Sequence, residues 1–150
     1  MTNLRKEEAV MKTATRITLL LLALLMSLSF VACADVDATG LWEDATYTSS
    51  KEFGDGAKTV QVEIKVEEQS LTLTLHTDKE TLGDALLEHQ LIAGEEGPYG
   101  LYIKTVNGMT IGEDEHAYWA LYKDGAYSMT GVDTTVIADG EHYELVREAY

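Results

Sequence analysis

Glu113-Asp114-Glu115-His116 is the densest run of hard donors in this chain of 150 residues. Carboxylate oxygens are the ligands calcium prefers, and an imidazole beside them extends the choice to other divalent cations. A second set, Tyr99, Tyr102, Tyr118, Trp119, Tyr122 and Tyr127, is amphipathic and aromatic. Such side chains bind flat organic ligands or protein partners at low entropic cost. Both are binding chemistries. Catalytic ones leave no trace: the chain has no G-x-S-x-G, H-E-x-x-H, C-x-x-C or Walker loop. His76, His89 and His142 are scattered, without a helical pair at zinc spacing. The chain reads as a non-enzyme.

Its single cysteine carries a different chemistry. Lys12 and Arg16 precede an apolar run from Ile17 to Ala32, the pattern of a signal peptide; the run is too short and too interrupted, by Ser27 and Ser29, for a membrane span. Phe30-Val31-Ala32-Cys33 resembles the bacterial lipobox, with Phe30 where Leu is preferred, so residues 1–33 read as a signal peptide and Cys33 as the lipidation site. Ordinary signal cleavage is the alternative, and Met11 competes with Met1 as the start. Either cleavage implies an exported product, anchored to the outer face of the cell membrane or secreted.

Beyond Cys33 no thiol remains for a disulfide or a thiolate metal site, so stability rests on one modest hydrophobic core. Seven basic residues then face 24 acidic ones, a charge of about −17 against −15 for the whole chain. Such a surface repels phosphate backbones and attracts cations and basic partners, which excludes nucleic-acid binding.

Residues 34–58 are small, polar and acidic, with Leu41, Trp42 and Tyr47 interspersed. They read either as a spacer after the lipidated cysteine or as an extra element packed on the domain's edge. Val60, Val62, Ile64 and Val66 then alternate with polar residues, as do Leu71, Leu73 and Leu75, giving an antiparallel hairpin. Thr77-Asp78-Lys79-Glu80 fits a capping box for a helix through Leu82, Ala85 and Leu86 that ends near Gln90 or Leu91. Gly94, Gly97, Pro98 and Gly100 mark a loop, and Leu101–Val106 a strand stopped by Asn107-Gly108. Ala117–Tyr122, Tyr127–Thr130 and Tyr143–Val146 are further short strands, with turns at Asp124-Gly125 and Asp139-Gly140. Alternation puts Trp119 and Leu121 on one face and Tyr118, Ala120 and Tyr122 on the other, so one set is core and the other exposed; Trp119 is taken as core and Tyr118 with Tyr122 as exposed. The expected architecture is α+β: a β-grasp-like mixed sheet with one helix packed on one face, spanning residues 59–150.

Glu80-Thr81-Leu82-Gly83-Asp84-Ala85-Leu86-Leu87, Tyr99-Gly100-Leu101-Tyr102-Ile103, Tyr118-Trp119-Ala120-Leu121-Tyr122 and Thr130-Gly131-Val132-Asp133 together resemble the transcobalamin-like C-terminal domain family of bacterial exported proteins. The Asp139-Gly140 turn before the last strand fits the same pattern. The resemblance implies a β-grasp module that, in animal vitamin B12 carriers, is the smaller of two domains clamping cobalamin. Many relatives carry alternating Asp residues where this chain has Ile111-Gly112-Glu113-Asp114-Glu115-His116, a departure that weakens the case for calcium.

Taken together, the sequence predicts a membrane-anchored binding module. Tyr99, Tyr118, Tyr122, Tyr127 and Val132 are the candidate contacts for a small organic ligand, such as the corrinoid cobalamin, or for a surface partner protein. Glu113, Asp114, Glu115 and His116 are the candidate ligands of Ca²⁺ or another divalent cation in the alternative reading.

Overall fold

The computed structural model describes residues 36–150. The segment expected to be a signal peptide, with Cys33 as its lipidation site, lies outside the described residues. Among the described residues nine strands form two sheets, joined by one α-helix: β1 (Lys51–Gly54), β2 (Lys58–Val66), β3 (Gln69–Thr77), α1 (Leu82–Glu88), β4 (Ile92–Gly97), β5 (Gly100–Val106), β6 (Met109–Thr110), β7 (Ala117–Lys123), β8 (Ala126–Tyr127) and β9 (His142–Ala149). The larger sheet runs β1-β3-β2-β9-β7-β8 and the smaller β4-β5-β6. The class is α+β, with a mixed sheet: β2 is antiparallel to β3 and parallel to β9, and β9 is antiparallel to β7.

Period-two alternation puts Val60, Val62, Ile64, Leu71, Leu73, Leu75, Tyr143 and Leu145 on one face, all at most 1% exposed. Against that face pack Leu82 and Leu86 from α1 and Ile92, Val106 and Met109 from the small sheet. Asn107-Gly108 and Asp124-Gly125 both have positive φ at both positions, 51° and 84° and 49° and 78°. These values make type I′ hairpin turns, whose twist matches that of the flanking strands.

One open reading is decided and three expectations differ from what forms. Trp42 is 2% exposed, in a 3-10 turn at Gly40–Asp44, and β1 pairs in parallel with β3. Of the two readings of residues 34–58, the edge element is therefore the one that residues 36–58 follow. The helix begins later than the Thr77 box predicts, because Thr77 still pairs with Lys58 in the β2–β3 ladder. Thr81 is the cap instead, its hydroxyl accepting from the Asp84 amide at 3.2 Å. The glycine-rich stretch before Gly100 is strand β4, paired with β5 across a bulge between Ala93 and Gly94, where a loop was expected. The strand expected at Tyr127–Thr130 stops after Tyr127.

Gly83 occupies a helical position because any Cβ there would press on the backbone of Val132 and Asp133 at about 3.0 Å. The Gly83 amide also donates to the Val132 carbonyl at 2.8 Å. This close approach docks the first turn of α1 onto the segment after β8.

Candidate functional site

An open groove of about 390 Å³ lies between β5 and β7. Leu101 and Ile103 of β5 form one wall, Tyr118 and the β7 backbone through Leu121 the other, and the segment from Tyr127 to Val132 closes one end. Trp119 is 7% exposed and its indole N–H donates to the Lys104 carbonyl at 3.3 Å, tying the two sheets together at the base. Tyr99, on the turn between β4 and β5, and Met129 stand on the rim, 97% and 90% exposed.

The structure thus brings Tyr99, Tyr118, Tyr127 and Val132 to one groove, from three segments distant in sequence. Val132 is almost wholly buried and supplies floor, not surface. Tyr122 does not line the groove but stacks edge-on against Tyr127, with ring centroids 5.4 Å apart. The Tyr118 hydroxyl donates to Glu148 at 2.8 Å, and the Tyr122 hydroxyl donates to the other oxygen of the same carboxylate. Those hydrogen bonds hold both phenols as neutral donors, with pKa values raised above the usual tyrosine range. Two rim residues, Tyr102 and Met129, were not among the candidates. Tyr102 was visible in the aromatic set, whereas nothing in the sequence around Met129 distinguishes it.

At the near end of the groove Asp133 sits against Gly100 and Gly131. A Cβ on Gly100 would overlap the Asp133 carboxylate, and Gly100 has φ of 102°, a region that favours glycine. The Asp133 Oδ1 is buried without a hydrogen-bond partner.

The proposed metal ligands do not converge. Glu113–Glu115 form a short 3-10 turn that directs their side chains to different partners. Glu115 accepts from the Gly112 amide at 2.9 Å and from Arg147 at 2.7 Å, which together hold its carboxyl below the usual pKa. Glu113 lies 3.8 Å from Lys104, and His116 turns its Nδ1 back to the Asp114 carbonyl at 3.0 Å. Among the described residues no group of three or more His, Cys, Asp or Glu side chains is arranged to hold a metal ion. In this arrangement the neighbours in sequence are engaged by cations from β5 and β9, Glu113 by Lys104 and Glu115 by Arg147.

A polar hollow of about 370 Å³ lies beside Gly54, lined by both His76 and His89. His76 faces Thr59 (3.2 Å) and Glu52 (3.5 Å), whereas His89 packs on the Phe53 ring, whose centroid is 5.4 Å away. Glu52 and Phe53 are adjacent residues of β1 and so point to opposite faces of the sheet, which gives the two imidazoles different neighbours.

Residues 79–143 match a family described as a domain of unknown function, DUF4430. The fold is similar to that of a Ruminococcus gnavus protein described as a candidate metal-binding protein, with a TM-score of 0.60 and 29% identity over 63% of this chain and 99% of that one. It is also similar to haptocorrin, solved in complex with Cbi, with a TM-score of 0.51 and 20% identity over 65% of this chain. The match spans 27% of the haptocorrin chain and is a likeness of fold. No curated protein matches the sequence.

Proposed function

We propose that this chain is a non-enzymatic binding module of the transcobalamin-like kind, exported and held at the outer face of the cell membrane through Cys33, with the groove between β5 and β7 as its recognition site. The carrying observation is the convergence of Tyr99, Tyr118, Tyr127 and Met129 on one hollow of about 390 Å³. That size sits at the lower end of the range for small-molecule pockets, and its phenols offer both apolar faces and hydrogen-bonding edges. A flat organic ligand such as a corrinoid would lie against these rings with much of its surface still in water. A protein segment is the other occupant the groove suits; nucleic acid is not, given the net charge of −15.

The test is titration of the full chain with cobalamin, followed by tryptophan fluorescence and by melting temperature, since a ligand that binds only the folded state raises it. The corrinoid reading expects quenching at Trp119, saturation, and at least fivefold weaker binding in Tyr127→Ala, a change on an exposed rim. Quenching unaltered by Tyr127→Ala and Met129→Ala would place the ligand elsewhere and end the reading.

The Ruminococcus gnavus neighbour supports a second reading, binding of Ca²⁺ or another divalent cation. It requires the carboxylates of Glu113 and Glu115 to leave Lys104 and Arg147 and to turn towards Asp114 and His116. A rise in melting temperature with millimolar Ca²⁺ that chelator reverses and Glu113→Gln abolishes would favour it; no shift would dismiss that loop.

A further inference from the structure

β7 is an edge strand over most of its length. β9 pairs with it from Ala117 to Lys123, whereas β8 covers the other side only at Tyr122 and Lys123. Backbone groups of successive residues in an antiparallel strand point to alternate sides. The Tyr150 amide donates to the His116 carbonyl (2.9 Å) and the Asp124 amide to the His142 carbonyl (3.2 Å), so even-numbered positions face β9. The Ser128 amide donates to the Leu121 carbonyl at 2.8 Å, so odd-numbered positions face away from it. The N–H and C=O of Ala117 and Trp119 are thus directed at the open side, where no strand among the described residues pairs with them. An edge of this kind is a template for another extended chain.

That open side is the groove. It continues past Tyr102, Ile103 and Tyr118 into a smaller hollow of about 50 Å³ bounded by Ala117, Ile111 and Tyr150. The two hollows therefore run end to end along β7, with β5 as the far wall. Such a trough has the shape of an extended chain, in which alternate side chains drop into successive hollows at a rise of about 3.3 Å per residue. Charge narrows the occupant. Glu113 lines the smaller hollow, and Glu148 lies beneath Tyr118 and Tyr122. The lining cation Lys104 is already paired with Glu95 at 2.8 Å and with Glu113 at 3.8 Å. A net charge of −15 opposes a second copy of this chain and favours a basic one.

We infer that the trough along β7 accepts an extended, basic polypeptide segment by strand addition, with the partner's backbone bonding to Ala117 and Trp119 and its side chains entering between β5 and β7. Main-chain pairing supplies affinity in this mode, and the hollows supply selectivity. The inference rests on the groove being the recognition site and names the class of its occupant.

The experiment titrates the full chain with an acetylated, amidated octapeptide of alternating lysine and valine. Two isomers carry N-methyl groups on every valine or on every lysine, and a counterpart has glutamate for lysine. Strand addition expects one N-methyl isomer to bind at least tenfold more weakly than the parent, because methylation removes the donors facing β7 and leaves composition and charge unchanged. It expects the Trp119 amide to gain protection from hydrogen exchange, and the glutamate peptide to bind at least tenfold more weakly at low salt. Both isomers binding within twofold of the parent would overturn strand addition. So would a parent peptide that fails to bind while cobalamin quenches Trp119, an outcome that leaves the groove as the site. If neither probe perturbs Trp119, both readings fall. Concentration-dependent dimerisation blocked by Tyr102→Ala would give the edge to a second copy and overturn the basic partner.

Discussion

Glu141 closes the turn that feeds β9, and its carboxylate is shared by three donors. One oxygen accepts from the Lys123 ammonium; the other accepts from the Tyr143 hydroxyl at 2.5 Å and the Ala138 amide at 2.8 Å. Burial pushes this carboxyl's pKa up, but the three hydrogen bonds outweigh burial and bring it down to about 2. A carboxyl with a depressed folded-state pKa stabilises the fold above its unfolded value, near 4.3, and that contribution disappears as pH falls through about 2. A shift of roughly 2.5 units at about 1.36 kcal/mol each corresponds to about 3 kcal/mol at pH 7. Glu141→Gln keeps the shape but leaves one acceptor oxygen for three donors, so at least one donor near the fully buried Tyr143 loses its partner. With an unfolding entropy of about 2.1 cal/mol/K per residue over the described domain, a loss of about 3 kcal/mol lowers the melting temperature by about 10 °C. Urea denaturation of both proteins at pH 7, 5, 3 and 2, followed by tryptophan fluorescence, measures the gap directly. It should be about 3 kcal/mol at pH 7 and narrow from pH 4.5 downward, nearly closing at pH 2. A gap that is independent of pH, or below about 0.5 kcal/mol at pH 7, would refute the reasoning.

Gly100→Ala should cost about 2–3 kcal/mol, because the new Cβ overlaps the Asp133 carboxylate at a φ of 102°; a urea midpoint equal to that of the parent would contradict it. Asn107→Ala removes the side chain that accepts from the Tyr47 amide (3.0 Å) and donates to the Tyr47 carbonyl (2.8 Å). The expected loss is about 2–3 kcal/mol by the same assay, with Asn107→Asp losing less if the accepted bond carries more of it. Trp42→Ala should cost about 3–5 kcal/mol, because Trp42 is buried in the core; a urea midpoint equal to that of the parent would return residues 36–58 to the spacer reading. Cys33→Ala should move the protein from the membrane fraction to the medium or periplasm, and persistence in the membrane pellet would remove the lipid anchor from the proposal.

How far the sequence reaches depends on the range over which each feature is decided. β2 and β3 were legible because burial on one face imposes a period of two on consecutive residues, β5, β7 and β9 because turn residues bound their apolar runs, and the Asn107-Gly108 and Asp124-Gly125 turns because φ > 0 selects those residue types locally. Alternation separated Trp119 from Tyr118 and Tyr122 without saying which face is core; packing buries Trp119, leaves both tyrosines half-buried and buries Ala120 between them. β4 was hidden: five of its six residues are exposed, so no hydrophobic period marks it, and only pairing with β5 holds it extended. The start of α1 was misplaced because Thr77 can serve either a cap or a ladder, and Lys58 on the neighbouring strand decides between them.

The candidate sites divide along the same line. By itself the sequence determined residue types: an acidic, thiol-free domain after Cys33, rich in tyrosine and without the motifs of an enzyme. It could not determine where those side chains are aimed. Glu113, Asp114, Glu115 and His116 are adjacent in the chain, yet the 3-10 turn separates their side chains, and Arg147 and Lys104 from other elements neutralise two of the carboxylates. Tyr99, Tyr118 and Tyr127 are far apart in the chain, yet they share a groove because β8 covers too little of β7 to fill the space beside β5. That convergence is a property of strand order and strand length across two sheets, settled by the packing of the whole core and by no local run of residues.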